Sequence, residues 1–249
     1  MIINYVDILL FSNVGFSHFF GFDQFLGKLK HIDMEESKLI ETPDFSGVQN
    51  LETLDLEWCT SLFKIHPSLG ELKKLVRVNL LWCKSLEILP IKLENNDLRE
   101  LILNYCRKVT RLPTFGENMK NLSLLLLQYT GIKELPESIG FLTSLTELDL
   151  SGCRIEGVSF LHHIGCISSL VVLILNSVKI IEAPVGWYSN LLQLRYLLMK
   201  LCDLHSLAEL PSCLIRLNVN RIKEPLGEEQ MWNLFASLDH KVSNCQSSY

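Results

Sequence analysis

The sequence predicts an α/β solenoid, a horseshoe of stacked coils with a parallel β-sheet on its concave face and short helical, 3₁₀ or extended segments on its convex face. Three observations lead there. One frame of apolar residues is spelled by Leu51, Leu54, Leu56 and Cys59, and again 24 residues later by Leu75, Val78, Leu80 and Cys83. Downstream of the frame a second apolar pair, closed in many copies by proline, marks the return of the chain. The composition, 48% hydrophobic and 20% charged, supports a continuous core and is too apolar for a disordered chain.

Taken in order, the frame first occurs imperfectly as Leu29, Ile32, Met34 and Ser37, before the turn signal Thr42-Pro43-Asp44. After the two copies above come Leu98, Leu101, Leu103, Cys106, then Leu122, Leu125, Leu127, Thr130, and then Leu145, Leu148, Leu150, Cys153. The series continues with Leu170, Leu173, Leu175, Val178, with Leu194, Leu197, Met199, Cys202, and with a short last copy, Leu214, Leu217, Val219, Ile222. This spacing is that of a leucine-rich repeat. Within each copy, alternation of apolar and variable residues describes a short strand with one buried face. The prolines of Leu89-Pro90, Leu112-Pro113, Leu135-Pro136 and Leu210-Pro211 end the strand side, because proline cannot donate to a ladder and restricts the residue before it. No coil can bury its leucines alone, so coils stack.

The repeats divide the chain into an uncertain N-terminal segment or degenerate first repeat (1–25), a leucine-rich repeat domain of about nine copies (26–224), and a C-terminal stretch (225–249). In that last stretch Met231, Leu234, Phe235 and Leu238 share one helical face, as a capping helix would place them, and a polar tail follows. Met1 to Phe22 is apolar but has no lysine or arginine and is interrupted by Asn4, Asp7, Asn13, Ser17 and His18. It fits neither a secretory signal nor a membrane span. A net charge of −5 with no basic block excludes a generic nucleic-acid binder.

Five of the eight cysteines, Cys59, Cys83, Cys106, Cys153 and Cys202, fall on the ninth position of the frame. An inward small polar side chain there can bond to neighbouring backbone, so they are expected to form a ladder of buried thiols rather than a disulfide framework. Cys153, His162, His163 and Cys166 have zinc-like composition, but their spacing matches no compact ligand pairing. Gly21 to Leu29 departs from a phosphate loop, with five residues between its glycines and a leucine where the magnesium-binding hydroxyl belongs. No nucleophile elbow or dinucleotide turn occurs. The expectation is a binding protein without catalytic residues, cofactor or metal.

The third, fifth and seventh positions should face solvent on the concave side, and they carry the functional expectation. The arc begins acidic, with His31, Asp33, Glu35, then Thr53, Asp55, Glu57. It then turns apolar, where Ile102, Leu124 and Leu126 should lie side by side on adjacent strands and form a patch that needs a partner. The eighth position places Trp58, Trp82, Tyr105 and Tyr129 in four successive copies, either as partner contacts or as packing for the turn beside the cysteines.

The wording from Leu39 to Pro90, with Thr42-Pro43-Asp44-Phe45-Ser46, Pro67-Ser68-Leu69-Gly70 and Lys84-Ser85-Leu86, resembles the leucine-rich repeat region of plant TIR, nucleotide-binding, leucine-rich repeat disease resistance proteins. Gly131 to Cys153 looks similar to the same family, and the likeness covers about Leu26 to Ile222. The roughly 28 residues before the first clear repeat are too few for the TIR or nucleotide-binding domains, so only the recognition half is expected here. The resemblance implies a cytoplasmic, and also nuclear, protein-binding module of innate immunity whose partner is a pathogen effector or a receptor's own nucleotide-binding domain. The alternative is a general intracellular scaffold or inhibitor solenoid with no immune role. A secreted ectodomain is disfavoured by the lone sequon Asn121-Leu122-Ser123, which abuts a buried strand.

Overall fold

The frame positions build one parallel sheet. The computed structural model describes residues 8–10 (backbone), 27–180, 184–202 and 211–219. The strands are β1 (Ile8–Leu10), β2 (His31–Asp33), β3 (Thr53–Asp55), β4 (Arg77–Asn79), β5 (Lys92–Leu93), β6 (Glu100–Ile102), β7 (Thr114–Phe115), β8 (Leu124–Leu126), β9 (Glu147–Asp149), β10 (Val172–Ile174), β11 (Tyr196–Met199) and β12 (Arg216–Val219). Ten of them form a single sheet in the order β1-β2-β3-β4-β6-β8-β9-β10-β11-β12. From β2 onward the register aligns the fourth frame position of each coil with that of the next, as in Ile32 opposite Leu54, Val78 opposite Leu101 and Leu125 opposite Leu148. β1 extends the sheet beyond the first clear copy, with Leu9 opposite Ile32. The capping-helix residues, Ile222 and most of the Gly21–Leu29 segment lie outside the described residues.

From Leu29 to Cys202 each residue at the first, fourth, sixth and ninth positions is at most 5% exposed, including Ser37 and Thr130, which replace cysteine. Each leucine so enclosed contributes about 1.5–3 kcal/mol, an upper figure against an extended chain. The stacked leucines are therefore the main source of stability.

The convex side follows from its prolines and serines. Pro90 and Pro113 are buried, and two residues beyond Pro90 and one beyond Pro113 the chain becomes extended as β5 and β7, which pair with each other. Other returns form the 3₁₀ turns Pro67–Glu71 and Glu137–Phe141 or the α-helix Ser159–Gly165, and those at residues 42–50 and 184–192 are built of turns alone. The serine of each 3₁₀ turn ties adjacent coils together. Ser68 Oγ accepts from Phe45 N–H at 2.8 Å, and Ser138 Oγ accepts from Phe115 N–H at 2.9 Å. Thr42 Oγ1 likewise accepts from His66 N–H at 2.8 Å. A methyl on Gly70 would collide with the backbone carbonyl of Lys92, so only glycine lets that turn approach β5.

Candidate binding surface

From the coil of Leu29 to that of Leu194 the chain leaves its strand through a turn at the seventh to ninth positions, and this turn has one geometry. The eighth residue adopts positive φ in eight successive coils: Glu36, Trp58, Trp82, Tyr105, Tyr129, Gly152, Ser177 and Leu201, with φ between 54° and 66°. That conformation aims its N–H at the seventh-position carbonyl of the next coil. Trp58 donates to Leu81 at 2.8 Å, Trp82 to Asn104 at 2.9 Å, Tyr105 to Gln128 at 2.7 Å and Tyr129 to Ser151 at 2.7 Å. The left-handed region costs a bulky residue about 1–2 kcal/mol. A hydrogen bond returns about 1 kcal/mol.

Stacking supplies more of the compensation. Trp58 and Trp82 lie 4.8 Å apart at 7°, Trp82 and Tyr105 4.1 Å apart at 5°, and Tyr105 and Tyr129 5.3 Å apart at 29°. Each such pair contributes about 0.5–1.5 kcal/mol. Tyr129 ends the stack over Gly152, where any Cβ would strike its ring. Lys84 Nζ sits 4.8 Å from the Trp82 ring centre, and the Trp58 indole donates to Glu57 Oε1 at 3.1 Å. The faces of the inner rings are thus occupied by one another, and what they offer outward is edges. Trp58 and Tyr129 are the most exposed, at 38% and 43%.

Behind the aromatics the cysteines form the expected ladder. Each thiol donates to the sixth-position carbonyl of the preceding coil: Cys59 to Met34, Cys83 to Leu56, Cys106 to Leu80, Cys153 to Leu127 and Cys202 to Leu175, all at 3.0–3.2 Å. Burial pushes the Cys59 thiol up and lifts that of Cys153 to about 11, while the neighbouring Cys106 and burial together raise Cys83. Cys153 therefore belongs to the ladder, whereas Cys166 is exposed at the end of the helix. Among the described residues no His, Cys, Asp or Glu trio is placed to hold a metal ion.

On the concave face the variable positions are mostly half-buried, which corrects the expectation that all of them face solvent. Asp33, Asp55 and Glu57 gather at the N-terminal end with Glu35, whose carboxyl is raised by desolvation and by the charges of Glu57, Asp33 and Asp55. Asn79 binds this group by donating from Nδ2 to both Asp55 oxygens and to Glu57 Oε2, each at 3.0 Å. Arg77 pairs with Glu100 at 3.0 Å on the adjoining strand. Ile102 then lies opposite Leu126, and Leu124 shares its strand face, so the sheet brings the three apolar residues together as expected.

The next strand holds residues that the sequence reading passed over. Glu147 stands between Leu124 and Val172, and Asp149 between Leu126 and Ile174. Asp149 is 9% exposed and Ser151 3%. Burial raises both carboxyls, and the Asp149 charge raises Glu147 further. The frame alone places these residues on the concave face. Their burial depends on the larger neighbours that flank them, which no single coil reveals.

A curved parallel sheet over a leucine and cysteine ladder defines a leucine-rich repeat protein, and the family model described as "Leucine Rich repeat" matches residues 141–159. The chain is related to plant disease resistance proteins. It is 33% identical to the disease resistance protein RPP5 of Arabidopsis thaliana across 72% of this chain and 15% of that one. It is 36% identical to the Arabidopsis protein RML1A over 53% of this chain and 13% of that one, and to the TMV resistance protein N of Nicotiana glutinosa over 57% and 13%. The resemblance carried by Leu39 to Pro90 therefore holds, and the chain spans only 13–15% of the length of these relatives. Among solved structures, internalin C2 of Listeria monocytogenes matches with a TM-score of 0.58 at 16% identity over 80% of this chain and 84% of that one. The receptor in the TLR13–ssRNA13 complex matches at 0.56 and 18%, over 85% and 32%. At those identities the likeness is one of fold. Among the described residues no helix is long and apolar enough to cross a membrane.

Proposed function

We propose that this chain is the protein-binding leucine-rich repeat module of a plant intracellular immune receptor, acting in recognition or autoinhibition. The observation that carries the binding reading is the division of labour along each strand. The frame residues are consumed by the core, while the concave positions place half-buried apolar groups beside uncompensated acids, a combination that the fold itself does not need. The likeness to plant disease resistance proteins supports the immune reading.

The partner is a protein, a pathogen effector or the nucleotide-binding domain of a receptor, met in the cytoplasm and also in the nucleus. Asp33, Asp55 and Glu57 serve its basic residues, and Ile102, Leu124 and Leu126 its apolar ones. The ring edges of Trp58, Trp82, Tyr105 and Tyr129 form the rim. No catalytic step, cofactor or metal enters this reading.

Disrupting the gene in its source plant and challenging with pathogens tests the immune role. Altered resistance or cell death supports it, and restoration should need an intact concave face. Unchanged resistance to every pathogen tried would favour a scaffold solenoid with no immune role.

A further inference from the structure

The apolar part of the concave face is interrupted at one strand by charge. In the fifth-position row, register sets Ile102, Leu126, Asp149, Ile174 and Leu198 side by side, and in the third-position row Glu147 lies between Leu124 and Val172. Two other acids of the face are answered from within, Glu100 by Arg77 at 3.0 Å and Asp55 by Asn79 at 3.0 Å. Among the described residues no lysine, arginine or histidine forms an ion pair with Glu147 or Asp149.

Asp149 receives Ser151 N–H at 2.8 Å on Oδ1. The Ser151 hydroxyl beside it belongs to a residue 3% exposed and makes no well-aligned hydrogen bond, although it lies near enough to the Asp149 carboxyl to offset part of the effect of burial there. A buried carboxylate without a cation and a poorly partnered buried hydroxyl together lose solvation that the fold does not fully return. Both carry acceptor capacity, and they sit amid side chains that favour apolar contact.

We infer that Glu147, Asp149 and Ser151 form an acceptor recess for a single arginine of a partner protein, with apolar residues on either side of that arginine packing on Leu126 and Ile174. A guanidinium suits this place better than an ammonium. It is weakly hydrated, so entering the apolar setting costs less, and its planar fork of five donors can serve two carboxylates and a hydroxyl together. The charge interruption then sets register: a partner segment that slides by one strand spacing places its arginine against Leu126 or Ile174 and leaves the acids buried and unpaired, a repulsive penalty that sharpens specificity. This rests on the protein-binding reading above and specifies the partner's chemistry.

The test is selection of a phage-displayed library of random short peptides on the whole chain, followed by affinity measurement with synthetic peptides. The selected peptides should carry one arginine between apolar residues. Replacing that arginine by neutral citrulline should weaken binding about thirtyfold or more. D149N should weaken it to the same degree, and citrulline should then make little further difference. Asn79, which accepts Leu81 N–H at the equivalent position of β4, shows that D149N keeps the local turn. Peptides that bind equally with citrulline, or equally to D149N, overturn the arginine recess. If the same peptides are lost on the paired change I102S and L126S, the concave docking reading survives that result. Binding indifferent to all of these changes, or no enrichment at all, overturns both.

Discussion

At the scale of single residues, Trp82 shows how an unfavourable backbone is held in place. Its φ of 63° penalises any side chain, and two neighbouring rings and a ladder hydrogen bond offset that penalty. Alanine would keep the strain and lose the stacking, whereas glycine would lose both. W82G should therefore melt at or above W82A, the reverse of the usual order inside regular structure, with both below wild type by thermal denaturation. The left-handed turn was not legible from the aromatics, because bulky residues disfavour it. The one available signal was Gly152 at the same position of a later coil.

Asp149 makes the opposite case. Its carboxyl is raised above 3.8 by burial, so the protonated form suits the fold. That stabilisation is fully present below the unfolded value and is lost as pH rises through the folded one. At neutral pH D149N should raise the melting temperature by about 2–4 °C, and the gain should shrink as acidification carries the pH down through the raised folded value, leaving none below the unfolded value of 3.8. A variant that melts lower than wild type at neutral pH would show that the charge is already compensated.

At the scale of elements, the strand and its exit turn form one hydrogen-bonded ladder that outlasts the three-residue strands. The leucines and cysteines of this element were readable in sequence, because a side chain that repeats once per coil has one environment. The convex return was readable only as a set of possibilities, and the structure uses all of them: paired strands after Pro90 and Pro113, 3₁₀ turns at Pro67–Glu71 and Glu137–Phe141, and one α-helix. There the serine and threonine side chains, rather than periodicity, decide how adjacent coils join. Burial and raised thiol affinity for protons should make Cys59, Cys83 and Cys153 resist iodoacetamide in the native state, while exposed Cys166 reacts. Mass spectrometry of native and denatured protein checks this, and native labelling of Cys83 at the rate of Cys166 would contradict an intact ladder.

At the scale of the whole molecule, charge and apolarity are distributed unevenly along one curved face. The acidic beginning around Asp33, Asp55 and Glu57 should accelerate association with a basic partner at low ionic strength, by stopped-flow measurement, and E57Q should reduce the dependence of the on-rate on salt. The middle of the arc should instead govern dissociation, since half-buried Ile102, Leu124 and Leu126 contribute only once water is excluded. Architecture was legible because leucines answer to one another within the chain. The site was less so, because Glu147, Asp149 and Ser151 acquire their meaning from neighbours about two dozen residues away on the adjoining strands.

The most direct measurement of the central claim, that the frame builds the fold while the concave positions bind protein, compares affinity and melting temperature in the same variants. With a peptide selected on the whole chain as ligand, L126S and D149N should lose binding without a fall in melting temperature beyond that of an ordinary surface change. W82A should lower the melting temperature and leave the affinity of the remaining folded protein within a few-fold of wild type. If L126S and D149N bind as wild type does while W82A abolishes binding without loss of stability, the concave face is not the recognition surface and the aromatic rim is.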